Sequence, residues 1–331
     1  MPEPTRIILN PASSNGGGKR LGPMLRSRLE QRGIAHEIVL SREAGHVAKL
    51  ARDAARDGVR RILAVGGDGT IHEIANGLLE AGVPPPAVAI LPVGTGNDFY
   101  RMIGRPPREG RRGIDAALDT LQHGLPTRFD VGVVRWEGGE SYFVNFLGVG
   151  VDVEVLRRRA RFQWLPGITQ YLAALLSAVT RFQPVHLHID VDDDERIEER
   201  ALLCAVTVGP SVGGGFMLSP DARPDDGLLD LCLVGRLGAL QILRYIPKVI
   251  RGKHKDLDEV TLRQFQRLRL ATGGAEPMFF QLDGDLRTEA VPWLDIEIRA
   301  GALPILMPVP DRAAATGAGA ASMRPPAEVE A

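Results

Sequence analysis

Residues 1–128 read as an α/β domain on a parallel sheet, residues 129–310 as a mainly antiparallel β-rich domain, and residues 311–331 as a disordered tail. Three observations carry this division. The first third alternates short apolar runs with helical patterns, the mark of βα units. After about residue 129, strand-like runs mostly succeed one another without a crossover helix, which favours antiparallel pairing. The last segment is rich in Ala, Gly, Pro and Glu and has almost nothing to bury. The last strand of the second domain is free, on this reading, to return to the first.

Taken in order, residues 6–9 form a strand that stops at Asn10-Pro11, before a polar, glycine-rich loop and a helix over about 21–32. Residues 34–40 give a second strand, and 43–57 a helix closed by Gly58 at its C′ position. Residues 62–65 are a third strand, 71–79 a helix and 88–91 a fourth strand. In the second domain, 128–135, 142–147, 185–191, 202–208, 228–234 and 278–282 resemble strands, with helical patterns at 168–182 and 237–250. No internal repeat is visible.

A chain of 331 residues, 44% of them hydrophobic, is long enough for two cores. Its formal net charge of −1 provides no global attraction to nucleic acid. Cys204 and Cys232 are the two cysteines, and both lie in apolar runs, so they read as packing in a reducing compartment. The opening MPEPTRIILNP lacks a basic segment followed by an apolar one, so no signal peptide is expected. The longest apolar stretch, 171–179, is far below the ~18–20 residues that span a bilayer. These features predict a cytoplasmic protein with no transmembrane segment. A homodimer is compatible with the sequence and not required by it.

The chemistry concentrates in two loops. Gly66-Gly67-Asp68-Gly69-Thr70 and Gly94-Thr95-Gly96-Asn97-Asp98 each follow a predicted strand and precede a helix. Ligands bind at the carboxyl edge of an open α/β sheet. Glycines there let backbone N–H groups approach an anion, and the helix N-terminus adds positive potential. Thr70, Thr95 and Asn97 can add hydrogen bonds. One such turn is an ordinary connection, but two with acidic and amide residues at set places predict phosphate binding. Asp68 would repel phosphates unless a cation lay between them, which points to Mg²⁺; otherwise it caps the helix beginning near Ile71. Neither G-x-x-x-x-G-K-[ST] nor a proper G-x-G-x-x-G is present, against a P-loop NTPase or a Rossmann dehydrogenase. Lys19 is the lysine near these loops, so backbone amides, metal and arginines must neutralise the phosphates.

These residues resemble the diacylglycerol kinase catalytic domain shared with sphingosine and ceramide kinases. The likeness rests on Asn10-Pro11 with its Ser/Gly loop, the two glycine loops ending in Phe99, and Asn145-Phe146-Leu147-Gly148-Val149-Gly150-Val151-Asp152. It continues through Gly213-Gly214-Gly215-Phe216, Pro224-Asp225-Asp226-Gly227-Leu228-Leu229-Asp230 and Asp283-Gly284-Asp285, over roughly residues 5–305. The GGDGT loop alone also occurs in NAD kinases, and as GGDGS in phosphofructokinases. The resemblance implies a phosphofructokinase/NAD kinase-like N-terminal nucleotide-binding domain and ATP-dependent phosphorylation of a lipid hydroxyl. It implies that Asn10, Ser41 (where Thr is usual), Gly66, Gly67, Asp68, Gly69, Thr70, Ile71, His72, Gly94, Thr95, Gly96 and Asn97 hold the nucleotide. Asp68 and Asp130 would organise a catalytic Mg²⁺ through water. Asp226, with the carbonyls of Arg223 and Leu228, would hold a structural one. Asp285 stands where the family's general base is a Glu, one methylene longer. The cleft between the domains would be the active site, its closure excluding water. Alternatives from the same residues are a NAD kinase-like enzyme on a soluble acceptor, or a catalytically silent nucleotide- and lipid-binding regulator.

Other signals are weaker. Gly209-Pro210-Ser211-Val212-Gly213 matches a hydrolase G-x-S-x-G elbow, but an elbow needs a helix directly after it, and the glycines and prolines that follow oppose one. The seven histidines show no metal spacing; His186 and His188 share a strand face and lack a nearby partner in the sequence, so they read as an exposed face. Asp192-Asp193-Asp194-Glu195 reads as a solvated hairpin. Arg157, Arg158, Arg159 and Arg161 with Phe162 and Trp164, and the run from Arg244 through Lys248, Arg251, Lys253, His254 and Lys255, are candidates for touching anionic lipid headgroups at a membrane surface. Each is also compatible with an amphipathic helix whose charges face water.

Overall fold

A computed structural model describes residues 5–104, 110–162, 164–165, 168–179, 182–192, 194–274 and 277–309. The tail expected over 311–331 lies outside the described residues.

The N-terminal half is built from β1 (Thr5–Leu9), α1 (Ser13–Gln31), β2 (His36–Leu40), α2 (His46–Arg56), β3 (Arg61–Gly66), α3 (Asp68–Leu79), β4 (Ala87–Pro92), the short α4 (Asp98–Arg101) and α5 (Gly110–His123). β2, β1, β3 and β4 lie side by side in parallel. Both faces of this sheet are covered, so its central strands are apolar throughout rather than alternating. Ile8, Ile62, Ala64 and Val88 pack with Val47, Ile71 and Leu78 of α2 and α3. Their strand neighbours Ile7, Leu63, Ala89 and Leu91 pack with Leu25, Leu29, Ile114 and Leu118 of α1 and α5. The first residues of α1 are not helical in geometry: Ser14, Asn15 and Gly16 all have positive φ, so the polar, glycine-rich loop survives inside the element. Gly58 has φ +76 just past the cap of α2, the left-handed C′ position expected of it.

The C-terminal half contains β5 (Leu125–Trp136), β6 (Gly139–Phe143), β7 (Phe146–Gly150), α6 (Val151–Arg159), a 3₁₀ turn (Ala160–Phe162), α7 (Ile168–Val179), β8 (Val185–Val191) and β9 (Glu195–Ala201). It ends with β10 (Leu203–Thr207), β11 (Leu229–Val234), α8 (Ala239–Ile250), β12 (Val260–Phe265), β13 (Arg267–Thr272), β14 (Phe280–Leu282), β15 (Asp285–Leu286) and β16 (Trp293–Met307). All the pairings among β5–β15 are antiparallel. A six-stranded sheet, β12-β11-β10-β7-β14-β15, faces the antiparallel part of the first sheet across a core that includes Phe143, Leu147, Leu231, Phe265, Leu270 and Phe280.

β9, β12, β13 and β16 fall where the sequence reading names no strand, and two places bear on the site. The run 142–147 was expected to be one strand, but it splits at Val144–Asn145: β6 pairs with β5 in one sheet and β7 with β10 in the other. The chain changes layers there, and the amide groups freed by the break are taken by a single carboxylate, described below. The long β16 pairs with β13 and β5, passes an irregularity between Arg299 and Leu303, and then lies parallel to β4 at Ile305↔Val88. One sheet therefore runs through both halves.

Candidate active site

The carboxyl ends of β3 and β4 adjoin, and their glycine loops meet. A Cβ on Gly67 would lie 3.0 Å from Gly94 Cα, and one on Gly94 2.7 Å from Gly67 Cα. Only glycine permits this backbone-on-backbone contact. Val93 donates its N–H to the Gly66 carbonyl at 2.8 Å, and Asn97 Nδ2 donates to the Gly94 carbonyl at 2.8 Å. Gly67 is the N-cap of α3, so the first turn of that helix, whose N–H groups have no intrahelical acceptor, begins at the loop. Asn10 Nδ2 donates to Thr70 Oγ1 at 3.1 Å, tying the end of β1 to the same turn.

Two carboxylates face each other beside these loops. Asp68 accepts the Phe99 N–H at 3.0 Å, and a Cβ on Gly96 would lie 3.0 Å from Asp68 Oδ2 and 3.1 Å from Asp98 Oδ2. Burial, with the charge of Asp98 next, pushes the half-buried Asp68 up to about 6. Asp98 is buried and raised as well, chiefly by desolvation. It accepts the Ser211 hydroxyl at 3.2 Å and the Gly214 N–H at 2.6 Å, which ties the first domain to the Gly-rich loop of the second. Ser211 is thus a hydrogen-bond donor to a carboxylate, and the residues after it form a tight turn closed by the Val212↔Phe216 bridge, unlike a hydrolase elbow.

The Asp-Gly-Asp turn divides its labour. The Asp283 side chain is 1% exposed and sits at positive φ. Its oxygens accept the consecutive N–H groups of Val144, Asn145 and Phe146 at 2.8, 2.9 and 2.8 Å, and His72 Nδ1 lies 2.8 Å away. This one carboxylate satisfies the strand break between β6 and β7 and pins α3 to it. Asn76 reinforces the joint: its Oδ1 accepts the Tyr142 N–H at 3.0 Å and its Nδ2 donates to the Tyr142 carbonyl at 3.0 Å. Asp285, two residues on, is 62% exposed, with Arg287 at 3.8 Å.

A cavity of about 960 Å³ joins these parts. Asn10, Gly67, Asp68, Gly69, Thr70, His72, Gly94, Thr95, Gly96 and Asp285 line it, along with Asp98 and Asp283. Its other end is apolar, walled by Val155, Leu156, Tyr171, Leu175, Leu203 and Phe216.

The remaining expected residues lie off this surface. Ser41 is buried with its N–H on the Leu9 carbonyl at 3.0 Å, Ile71 belongs to the core, and Gly66 and Asn97 shape the loops from behind. Asp130 is not brought to the cavity. Its oxygens accept the Gly227 N–H at 2.8 Å and the Gly301 N–H at 2.7 Å, so it fills the irregularity in β16 and fastens the 224–227 turn. A carboxylate spent on two backbone donors is placed as a clamp. Asp226 accepts the Leu228 N–H at 3.1 Å in that exposed turn. Behind it, burial, then Asp226 and Asp221, push Asp230 up to about 6, and Asp230 Oδ2 is buried without a protein partner. An orphaned carboxylate oxygen beside a second carboxylate suits a hard divalent cation.

Sequence reasoning gave no role to Asp152, although it named the motif containing it. Asp152 lines the cavity at its apolar end, where Gln281 Nε2 donates to Oδ2 at 3.2 Å and Oδ1 is enclosed without a partner. Desolvation pushes it up to about 7. The available signal was a lone acid inside an otherwise apolar run from Phe146 to Val153. The basic segment also resolves: Arg157 pairs with Glu154 at 2.7 Å and stacks on Phe279, Arg158 donates to the Ser177 carbonyl, and Arg159 lies over Tyr171. His254, counted among the basic residues, is instead buried against the Leu218 carbonyl.

Glycine loops at the edge of a parallel sheet, an acidic pair and a cleft against a β-rich domain define a phosphotransferase of the two-domain kinase class. Comparison places it more narrowly. Residues 4–134 match the diacylglycerol kinase catalytic domain, and residues 145–307 match the YegS C-terminal NAD kinase beta sandwich-like domain. The chain belongs to the diacylglycerol kinase catalytic domain family and is a lipid kinase. A diacylglycerol kinase of Mycobacterium tuberculosis is 29% identical over 304 residues, covering 91% of this chain and 94% of that one. Two likenesses carry provisional names. A YegS-like lipid kinase of Chromohalobacter salexigens is 31% identical over 78% of this chain and 80% of its own length. A Bacillus anthracis crystal structure of a diacylglycerol kinase is 26% identical, covers 93% and 96% of the two chains and has a TM-score of 0.75. An NAD kinase from Archaeoglobus fulgidus in complex with ATP shares the fold alone, at 12% identity and a TM-score of 0.50 over 93% and 94% of the chains.

Proposed function

We propose that the protein transfers the γ-phosphoryl group of ATP to the hydroxyl of a diacylglycerol-like or sphingoid lipid presented at a membrane surface. The observation that carries this reading is the single cavity whose one end is glycine backbone and carboxylate and whose other end is apolar. A triphosphate fits the first end, an acyl chain the second, and the reacting atoms meet between them, where Asp68, Asp283 and Asp285 come to the lining.

The glycine loops and Asn10, Thr70 and Thr95 hold the nucleotide, chiefly by backbone approach and helix potential. Asp285 accepts the proton of the lipid hydroxyl as it attacks the γ-phosphorus and ADP leaves; its side chain is exposed and held, among the described residues, only by Arg287 at 3.8 Å, so it can approach an acceptor. Asp152 and Gln281 orient the polar head of the lipid at the mouth of the apolar end. Asp68, at the cavity lining between the two glycine loops, would hold Mg²⁺, which would supply charge neutralisation to the phosphate oxygens when bound, while Asp98 behind it is held by Ser211 and Gly214. Asp226 and Asp230 suit a second, structural ion.

No helix among the described residues is long and apolar enough to cross a membrane. The lipid is therefore reached from the bilayer surface on this reading. The exposed Trp164, Leu240 and Leu243 support that contact, with Arg244 and Lys248 on the same helix as the two leucines.

The test is transfer of label from [γ-³²P]ATP with Mg²⁺ to a panel of lipids, with NAD as the soluble competitor. Labelled lipid phosphate is expected, and its loss by roughly 10²–10⁴-fold in purified, folded Asp285→Ala. Labelled NADP instead, or nucleotide binding with no transfer to any acceptor, overturns the reading.

A further inference from the structure

Away from the cleft, strand pairing assembles a donor set that the sequence conceals. His186 and His188 alternate on β8 and so project from one face. The acid next on that face, Asp190, is taken by Arg196 at 2.6 Å. The β8–β9 ladder supplies a third ligand, because its register sets Glu198 directly opposite His188. His186 Nε2 lies 2.8 Å from Glu198 Oε1, and His188 Nδ1 lies 3.8 Å from Glu198 Oε2. One donor atom from each of the three residues can be chosen so that all lie within 4.8 Å of one another.

We infer that His186, His188 and Glu198 form a surface site for one divalent cation of the zinc class. Bonds of about 2.0–2.2 Å to two imidazoles and a carboxylate set tetrahedral donors roughly 3.3–3.5 Å apart. The two imidazoles approach different oxygens of Glu198, Oε1 at 2.8 Å and Oε2 at 3.8 Å, and the 4.8 Å that bounds the donor set exceeds the tetrahedral span, so binding draws the three side chains together by rotation about their exposed ends. Two nitrogen donors select a borderline metal over Mg²⁺, which takes oxygen. Three protein ligands leave a fourth position for water.

The site has a built side. His186 accepts the Gly273 N–H through its carbonyl at 2.8 Å, and its ring lies over Gly273, where a Cβ would stand 2.5 Å from Nδ1. A glycine at that point of the neighbouring strand segment gives the imidazole its seat. Among the cations on this face, Arg196 is paired with Asp190 at 2.6 Å. Arg200 stands opposite His186 and opposes binding by charge. β9 is the edge of the ten-stranded sheet, so a metal joining β8 to β9 cross-links an edge hairpin and slows its opening.

The experiment titrates chelator-stripped, full-length protein with ZnCl₂ alone, by calorimetry, and repeats it with MgCl₂. One equivalent of Zn²⁺ is expected to bind at about micromolar affinity or tighter. Affinity should fall at least tenfold in His186→Gln, His188→Gln and Glu198→Gln, and rise in Arg200→Ala. These residues are partly or fully exposed, so the metal-free variants should keep the parent's melting temperature. Hydrogen exchange across 185–201 should slow with Zn²⁺ in the parent and not in His188→Gln. Absence of saturable Zn²⁺ uptake overturns the site. So does uptake that persists unchanged in His186→Gln/His188→Gln, which would locate the ion elsewhere.

Discussion

The two ends of the cavity are made of different material. The polar end is main chain: glycines of two loops in contact, the opening turn of α3, and side chains that mostly hold backbone in place. The apolar end is side chain, contributed by α6, α7, β10 and the Phe216 turn. A surface of backbone is stringent where two main chains touch, because Gly67 and Gly94 leave no room for a Cβ. A surface of aliphatic side chains is tolerant, since neighbouring chains can repack around a lost methyl group. The comparison predicts that substitutions at the first end act steeply and at the second gradually.

The largest effect is expected at the joint between them. Asp283→Ala leaves three consecutive backbone N–H groups and His72 without their acceptor. Unmet buried donors cost about 1–3 kcal/mol each, so a loss of about 3 kcal/mol or more should appear in urea unfolding. An unchanged midpoint would mean that Asp283 does not hold the ends together.

Next comes Asp152→Asn, which probes the apolar end electrostatically. Burial pushes the Asp152 carboxyl up to about 7, well above the ordinary carboxylate value of 3.8. The folded state therefore holds this proton more tightly than the unfolded chain. The stability this gives is complete below about 4 and is lost as pH rises through about 7. At pH 8 the wild type encloses a charged carboxylate, and the amide removes that penalty. The variant should be more stable at pH 8 by on the order of 2 kcal/mol, the gain shrinking toward zero near pH 4. A pH-independent difference in melting temperature would refute the assignment.

Gly94→Ala should raise the KM for ATP about tenfold or more and leave the KM for lipid nearly unchanged, because its new methyl group meets Gly67 Cα and Asn97 Oδ1. Leu175→Ala is the smallest change: a few-fold rise in the KM for lipid with ATP kinetics intact, as expected of an apolar pocket. Equal effects of both variants on both substrates would erase the distinction between the ends.

The same contrast governs what the sequence disclosed. The parallel sheet and both glycine loops were legible, because a strand that stops at glycine and restarts as a helix is a local pattern. Asp68 was legible as an acid where a phosphate loop should have none. The split of 142–147 was not, since a strand that changes sheets keeps the same alternation on both sides. Asp130 and Asp283 were legible as motif members and not as clamps. What they bind is backbone at Gly227, Gly301 and 144–146, and proximity across the sequence leaves no mark in composition. Asp285 drew attention as a shortened acid; its exposure beside the buried Asp283 is visible only in three dimensions.

β16 passes from one half of the molecule into the other as a single fifteen-residue strand, interrupted where Asp130 holds Gly301. Two lobes stitched by a shared ribbon cannot swing like doors on a pin. Any approach of one toward the other must be taken up as bending and twist along that ribbon, so the molecule should move as a leaf spring does, through small, elastic displacements centred on its weakest point.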